Sequence, residues 1–287
     1  MKPEVKIITG PTCTGKTRAA LDYARKFGAE IISCDSVQVY RGMDIGSAKP
    51  SPRELAEIPH HLIDVADVSE KFDVSKYVEL AKNALADILS RGKKAVVTGG
   101  SGFYLKAWFS AVTDNVFVSA EIKKISGEIE ALRGAAGLAE ELLKIDSDAA
   151  GYVDMLNPRR TKNALERCLA TGKSVRELVD NFKSLPCPLG DISRDVSILD
   201  VPDVMLLPRI KSRTAKMLDD GLVEETRRLM EKGIENNPSA ASAIGYRETI
   251  EWISKGENNV GELCEKIAAD TFSLVKKQRK FFRNNLY

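Results

Sequence analysis

A chain of 287 residues can bury a substantial core, enough for one α/β domain of about 200 residues and a smaller appended unit. With 43% hydrophobic and 29% charged residues it reads as an ordinary soluble protein, and no apolar run approaches the roughly 18 residues of a membrane span. The net charge of +2 is unremarkable, and five scattered cysteines without a C-x-x-C pair exclude a zinc ribbon or redox motif and read as reduced thiols.

The apolar run Val5-Lys6-Ile7-Ile8-Thr9 starts within a few residues of Met1, which leaves no room for a secretory leader and suggests a cytoplasmic protein. It leads into Gly10-Pro11-Thr12-Cys13-Thr14-Gly15-Lys16-Thr17 and a helix-forming segment from Arg18 to Phe27. A G-x-x-x-x-G-K-[ST] loop at a strand-to-helix junction aims backbone N–H groups and a positive helix end at one point. Lys16 is placed there for phosphate oxygens and the Thr17 hydroxyl for Mg2+. The loop alone does not say whose phosphates it holds.

Ala29 to Ser36 is a second apolar run, and its tip carries Asp35 towards the same edge. Val37 to Pro50 has no clear period and reads as a functional loop or a loop with a short helix. Both histidines, His60 and His61, are adjacent in Pro59-His60-His61-Leu62-Ile63-Asp64. On a strand they would point to opposite faces, which favours structural roles over a shared metal. Asp73 to Arg91 has the period of a one-faced helix, Lys94 to Thr98 that of a strand, and Gly99-Gly100-Ser101-Gly102-Phe103-Tyr104 is either a tight turn or a second ligand-contacting loop.

From 119 to 190 the pattern becomes helical, with segments at 120–133, 138–145, 160–170 and 174–182, and it leaves through Pro186-Cys187-Pro188. Val196 to Leu207 supplies apolar runs that can return to the sheet, Arg209 to Lys232 reads as one long helix stopped at Gly233, and Val260 to Arg283 as a last helix with a cationic end. The expected fold is therefore α/β: a P-loop, doubly wound parallel sheet in 1–118 and 191–287, with an inserted all-helical lobe at 119–190.

With these loops placed, the chain resembles the bacterial tRNA dimethylallyltransferases. The most specific matches are Asp35-Ser36-Val37-Gln38-Val39-Tyr40, Gly42-Met43-Asp44-Ile45-Gly46-Ser47-Ala48-Lys49-Pro50 and Pro59 to Asp64. Further matches are Ala164-Leu165-Glu166, Gly221 to Glu225, Ile244 to Glu248 and the basic-aromatic end Lys276 to Arg283. The chain runs to Tyr287 without the zinc finger of eukaryotic relatives, which fits the bacterial branch.

The resemblance implies transfer of a dimethylallyl group from dimethylallyl diphosphate to N6 of the adenosine 3′ of the anticodon, with Mg2+ and a monomeric enzyme on the anticodon stem-loop of tRNA. The adenine amino group is a poor nucleophile, so a carboxylate that takes its proton is useful, and Asp35 is the candidate. The resemblance adds Ser101, where the family has threonine, and Arg213 at the diphosphate. Asp35, Ser36, Val37, Gln38 and Ser101 would meet the adenosine. Lys123, the strip Arg159-Arg160-Thr161-Lys162-Asn163, and Lys276, Lys277, Arg279 and Arg283 would meet tRNA phosphates, with Phe281 and Phe282 for stacking or packing. Asn163, Ser242 and Phe272 stand where family arginines are usual, which bears on the tRNA footprint. The competing readings are a P-loop kinase of a small metabolite using ATP, with Asp35 as base, and an NTP-switched RNA-binding protein.

Overall fold

The computed structural model describes residues 2–114 and 116–285, and the chain divides into two compact units: Ser110–Pro186, and Met1–Phe109 with Cys187–Tyr287. These bounds differ from the 119–190 read from composition. The stretch before residue 119 already belongs to the smaller unit, since Val116 packs on its core and Asp114 is ion-paired with Arg167. At the other end the Cys187 thiol is held by the larger unit, donating to Ala107 O at 3.5 Å.

The first part of the larger unit contains β1 Glu4–Thr9, α1 Lys16–Phe27, β2 Ala29–Ser33, α2 Pro52–Glu57, β3 His60–His61, α3 Val74–Ser90, β4 Lys94–Gly99 and α4 Gly102–Lys106. β5 Ser193–Ile198 completes a five-stranded parallel sheet in the order β3-β2-β4-β1-β5. The inner strands of such a sheet are covered on both faces, so β1, β2 and β4 carry runs of Val and Ile rather than alternating patterns. Val5, Ile7, Ile32, Val96 and Val97 are fully buried, and α1 lays Ala20, Leu21 and Ala24 over Ile8, Ile31 and Val96. The register pairs Thr9 with Gly99 and Ile198, and Ser33 with Thr98, which brings the carboxyl ends of β1, β2, β4 and β5 to one edge. α3 starts at Asp73, whose carboxylate accepts the N–H groups of Ser75 and Lys76.

The smaller unit holds α5 Ala120–Ile145, α6 Pro158–Thr171 and α7 Val175–Ser184. Gly134, at φ 63°, divides α5 into the two helical parts that the sequence pattern separates. Leu138, Leu142, Leu165, Val175 and Leu178 form its own apolar core.

The chain then continues through α8 Asp203–Asp219, α9 Leu222–Glu231, α10 Pro238–Ala241, α11 Tyr246–Ser254 and α12 Val260–Asn285. Two expectations are corrected here. The single helix read across 209–232 is α8 followed by α9, because Gly221 adopts φ 100° and starts a new helix with Glu224 and Glu225 in its first turn. The apolar run to Leu207 does not stay in the sheet either: β5 stops at Ile198, and after Pro202 the residues are helical. α8 and α12 pack through Leu206, Ile210, Ala268 and Val275, and Phe272, one of the departures from the family's arginines, lies against this cluster. Among the described residues no helix is long and apolar enough to cross a membrane.

Candidate functional site at the carboxyl edge of the sheet

The loop after β1 closes on itself before α1 begins. The Thr14 hydroxyl donates to Pro11 O at 2.8 Å, and the Lys16 ammonium donates to the same carbonyl at 2.6 Å. Burial lowers the Lys16 pKa to about 8, Asp35 acts against that shift, and Arg213 adds to it. Arg213 reaches in from α8 and donates to the Thr12 hydroxyl at 3.2 Å, with the Cys13 sulfur 3.7 Å away. Thr17 is exposed at the start of α1. The P-loop residues and Arg213, which the resemblance assigns to the diphosphate, thus lie together.

Asp35 follows directly on β2. One of its carboxylate oxygens accepts the N–H of Val37 at 2.9 Å and of Gln38 at 3.4 Å, which fixes the side chain while leaving it open to the site. Asp35, Lys16, Thr12, Ser47 and Arg213 border two adjoining cavities. One, of about 130 Å³, has an apolar wall of Ile210, Met217, Ile244, Ile267 and Leu274. The other, of about 110 Å³, is more polar, with Ser33, Gln38, His60 and Thr98. The Thr98 hydroxyl is buried and has no hydrogen-bond partner among the described residues. An outer groove of about 640 Å³ runs past Lys16, Thr17, Arg18, Arg209 and Arg213.

Ser101 ties the second glycine-rich loop to the tip of β2. Its hydroxyl accepts the Ser36 N–H at 2.8 Å and donates to the Ser36 hydroxyl at 3.1 Å. The glycines around it serve close packing: a Cβ on Gly100 would lie 2.6 Å from the Gln278 amide nitrogen, and one on Gly102 2.8 Å from the Phe281 ring. Phe281 therefore packs on this loop, and Phe282 is buried. The two histidines are structural in setting, His60 bonded to Ile58 O at 2.7 Å and His61 to Glu30 at 2.8 Å.

The expected tRNA contacts divide. Lys123, Arg159, Arg160 and Asn163 are exposed on the smaller unit, and Lys276, Lys277 and Arg283 on the larger one. Thr161 is not available, because it is fully buried and donates to Asn157 O at 3.1 Å. Lys162 is engaged with Glu130 at 2.6 Å. Arg279 is also committed inside the fold, bonded to Asp200 at 2.9 Å, to Asp203, and to Val201 O at 2.8 Å. Its charge is thereby neutralised by two carboxylates.

Sequence reasoning missed three residues. Gln278 accepts the Thr12 N–H at 2.9 Å and donates to Gly100 O at 2.9 Å. Glu225 is 3% exposed and accepts the N–H groups of Asp44, Ile45 and Gly46 at 3.2, 2.9 and 3.3 Å and the Tyr246 hydroxyl at 2.7 Å. Burial and the Glu225 charge push the Tyr246 phenol far above its ordinary value. Glu225 and Tyr246 thereby hold in place the loop that contributes Gly46, Ser47 and Ala48 to the cavities. The motifs that contain these residues were visible, but their partners were not.

A family model described as IPP transferase matches residues 38–285. A tRNA dimethylallyltransferase of Opitutus terrae is 47% identical over 285 residues, 99% of this chain and 91% of that one, and one of Roseiflexus is 37% identical over 281 residues, 96% and 88%. Among solved structures, the full-length tRNA isopentenylpyrophosphate transferase of Bacillus halodurans is similar with TM-score 0.70 and 30% identity, covering 99% of this chain and 88% of that one. A eukaryotic dimethylallyltransferase acting on tRNA is similar with TM-score 0.85 and 26% identity, covering 98% and 70%. These likenesses do not favour a small-metabolite kinase.

Proposed function

The chain belongs to the tRNA dimethylallyltransferase family, and on that footing we propose that it transfers a dimethylallyl group from dimethylallyl diphosphate to N6 of the adenosine 3′ of the anticodon, releasing diphosphate. The observation that carries this reading is the placement of Asp35 and Lys16 on shared cavities, one of which has an apolar wall. A carboxylate and a phosphate-seeking cation face each other across a space suited to a short prenyl chain.

In the proposed step the N6–C1 bond forms as the C1–O bond breaks, the electron pair leaves with diphosphate, and the N6 proton passes to Asp35. Lys16, Arg213 and the amides at the start of α1 stabilise the growing negative charge. Until phosphate oxygens arrive, Pro11 O occupies the Lys16 ammonium. Ser101 keeps the Ser36 backbone in place beside Asp35. The adenosine must leave its stack to reach this edge, and Ser36, Val37 and Gln38 are placed to read it.

The donor set fits Mg2+: the hydroxyls of Thr17 and Thr98 and the Asp35 carboxylate are hard oxygen donors. Among the described residues no group of three or more His, Cys, Asp or Glu is placed to hold a metal ion. Mg2+ held at Thr17 would supply charge neutralisation on the leaving diphosphate. We place the enzyme in the cytoplasm as a monomer on the tRNA anticodon stem-loop.

The test is incubation of the purified protein with Mg2+, unmodified tRNA and labelled dimethylallyl diphosphate, with ATP in a parallel reaction, followed by nucleoside mass analysis. Dimethylallyl-adenosine formed without ATP is the expected result. Phosphate moving from ATP to a metabolite, with no prenyl transfer, would overturn the reading.

A further inference from the structure

The last turns of α12 are joined to the loops around the site by side-chain contacts. The Gln278 side chain takes the Thr12 N–H and gives its own N–H to Gly100 O, both at 2.9 Å, so one amide bridges the loops after β1 and β4. Next to it Arg279 binds Asp200 and Val201 O after β5, and Phe281 covers Gly102 after β4. Three loops from three adjacent strands therefore rest on residues 278–281. The exposed residues of the same turns are Lys276, Lys277, Lys280 and Arg283, and among the described residues none of them is in an ion pair. The residues that organise the cradle and those suited to a phosphate backbone thus belong to the same turns of one helix.

Thr12 is the point where these constraints meet. Gln278 holds its backbone, Arg213 from α8 holds its hydroxyl, and the preceding carbonyl, Pro11 O, receives Lys16 and Thr14. Gly100 is followed by Ser101, which holds the Ser36 N–H beside Asp35. The diphosphate side and the adenosine side of the site therefore share one amide.

We propose that Gln278 is a positioning residue that couples the two substrates: RNA held on the basic side of α12 fixes the helix, and Gln278 passes that order to the Thr12 peptide and the Gly100–Ser101 loop. The inference rests on the reading of the site as one for RNA and a diphosphate. A cradle already ordered when diphosphate arrives costs less to bind, and the effect is reciprocal by linkage.

The experiment measures the affinity of the full chain for inorganic diphosphate with Mg2+, alone and with a saturating anticodon stem-loop RNA. In the wild type the RNA should tighten diphosphate binding by about tenfold, and diphosphate should tighten RNA binding by the same factor. In Gln278→Ala diphosphate alone should bind several-fold more weakly, since the cradle loses a brace, RNA alone should bind within about twofold of the wild type, and the mutual enhancement should fall to about one. Gln278→Asn keeps the amide on an arm too short to span both loops, and should lose the enhancement as well. Independent binding of the two ligands to the wild type, or full enhancement in both variants, would overturn the coupling. So would an equal loss of each binary affinity, the mark of a merely structural residue. These outcomes need no prenyl transfer and are separate from the failure of the functional reading, which would appear as no binding of either ligand by the wild type.

Discussion

Glu30 lies within β2 and Asp35 just past its tip, yet the two carboxylates are treated in opposite ways. Glu30 is held by Arg91 at 2.8 Å and by His61 at 2.8 Å, and its side chain is 7% exposed. Asp35 accepts only backbone N–H groups and borders both cavities, and among the described residues no cation is paired with it. The first network is closed and stabilises the fold. The second is left open, as the proposed proton acceptor would need.

The comparison breaks most easily at Asp35. Asp35→Ala should lower the single-turnover transfer rate about a thousandfold while RNA binding persists and stability changes by no more than about 0.5 kcal/mol. Lost RNA binding with an intact rate would make Asp35 a recognition residue. Glu30→Ala should do the reverse, keeping activity at low temperature and lowering stability by about 1.5 kcal/mol in denaturant titration, since it removes the charged hydrogen bonds to Arg91 and His61 while Arg91 stays exposed and paired with Asp87. Arg91, then His61, hold the Glu30 carboxyl at about 2 against an ordinary 4.5. Its contribution is therefore complete above 4.5 and is lost as pH falls towards 2, which acid unfolding of Glu30→Gln beside the wild type would measure.

A smaller effect sharpens the open side. Burial lowers the Lys16 pKa to about 8, so, after correction for the ionisation of diphosphate itself, affinity should weaken by up to about tenfold per unit above that pH. Binding heats in buffers of different ionisation enthalpy would reveal the accompanying proton uptake. The smallest change expected is Ser101→Thr, which keeps the hydroxyl used by Ser36 and should leave the rate within about twofold. A large change there would mean that the pocket has been shaped around serine.

What the sequence disclosed follows the range of the forces involved. The P-loop, the Asp35 tip and the helix from Asp73 to Arg91 are local patterns, and the structure has a strand-to-helix loop, a strand end and a helix at those places. Gly221 was passed over inside an apparently continuous helix because its periodicity survives the break, and α11 was not assigned at all. Gln278 could not be read, since its partners lie 266 and 178 residues away and nothing in a basic-aromatic run marks one amide among lysines. Glu225 looks like a charge in the first turn of a helix, and only tertiary structure brings it to three N–H groups of a distant loop. Thr161 shows the converse failure: a polar residue in a basic strip was taken for surface, although its hydroxyl satisfies its own helix.

The strand order also sets a timetable. β1 is the first strand to be made, but its neighbours are β4 and β5, and the last of these ends at Ile198. During synthesis one side of β1 therefore stays without its partner until the whole smaller unit, Ser110–Pro186, has emerged. Parallel pairing at such separation is slow, and an unpaired hydrophobic strand is the species most exposed to aggregation. The nascent chain must keep Val5, Ile7 and Ile8 from wrong partners through that interval, and Thr12 gains its last contact only when Gln278 has left the ribosome.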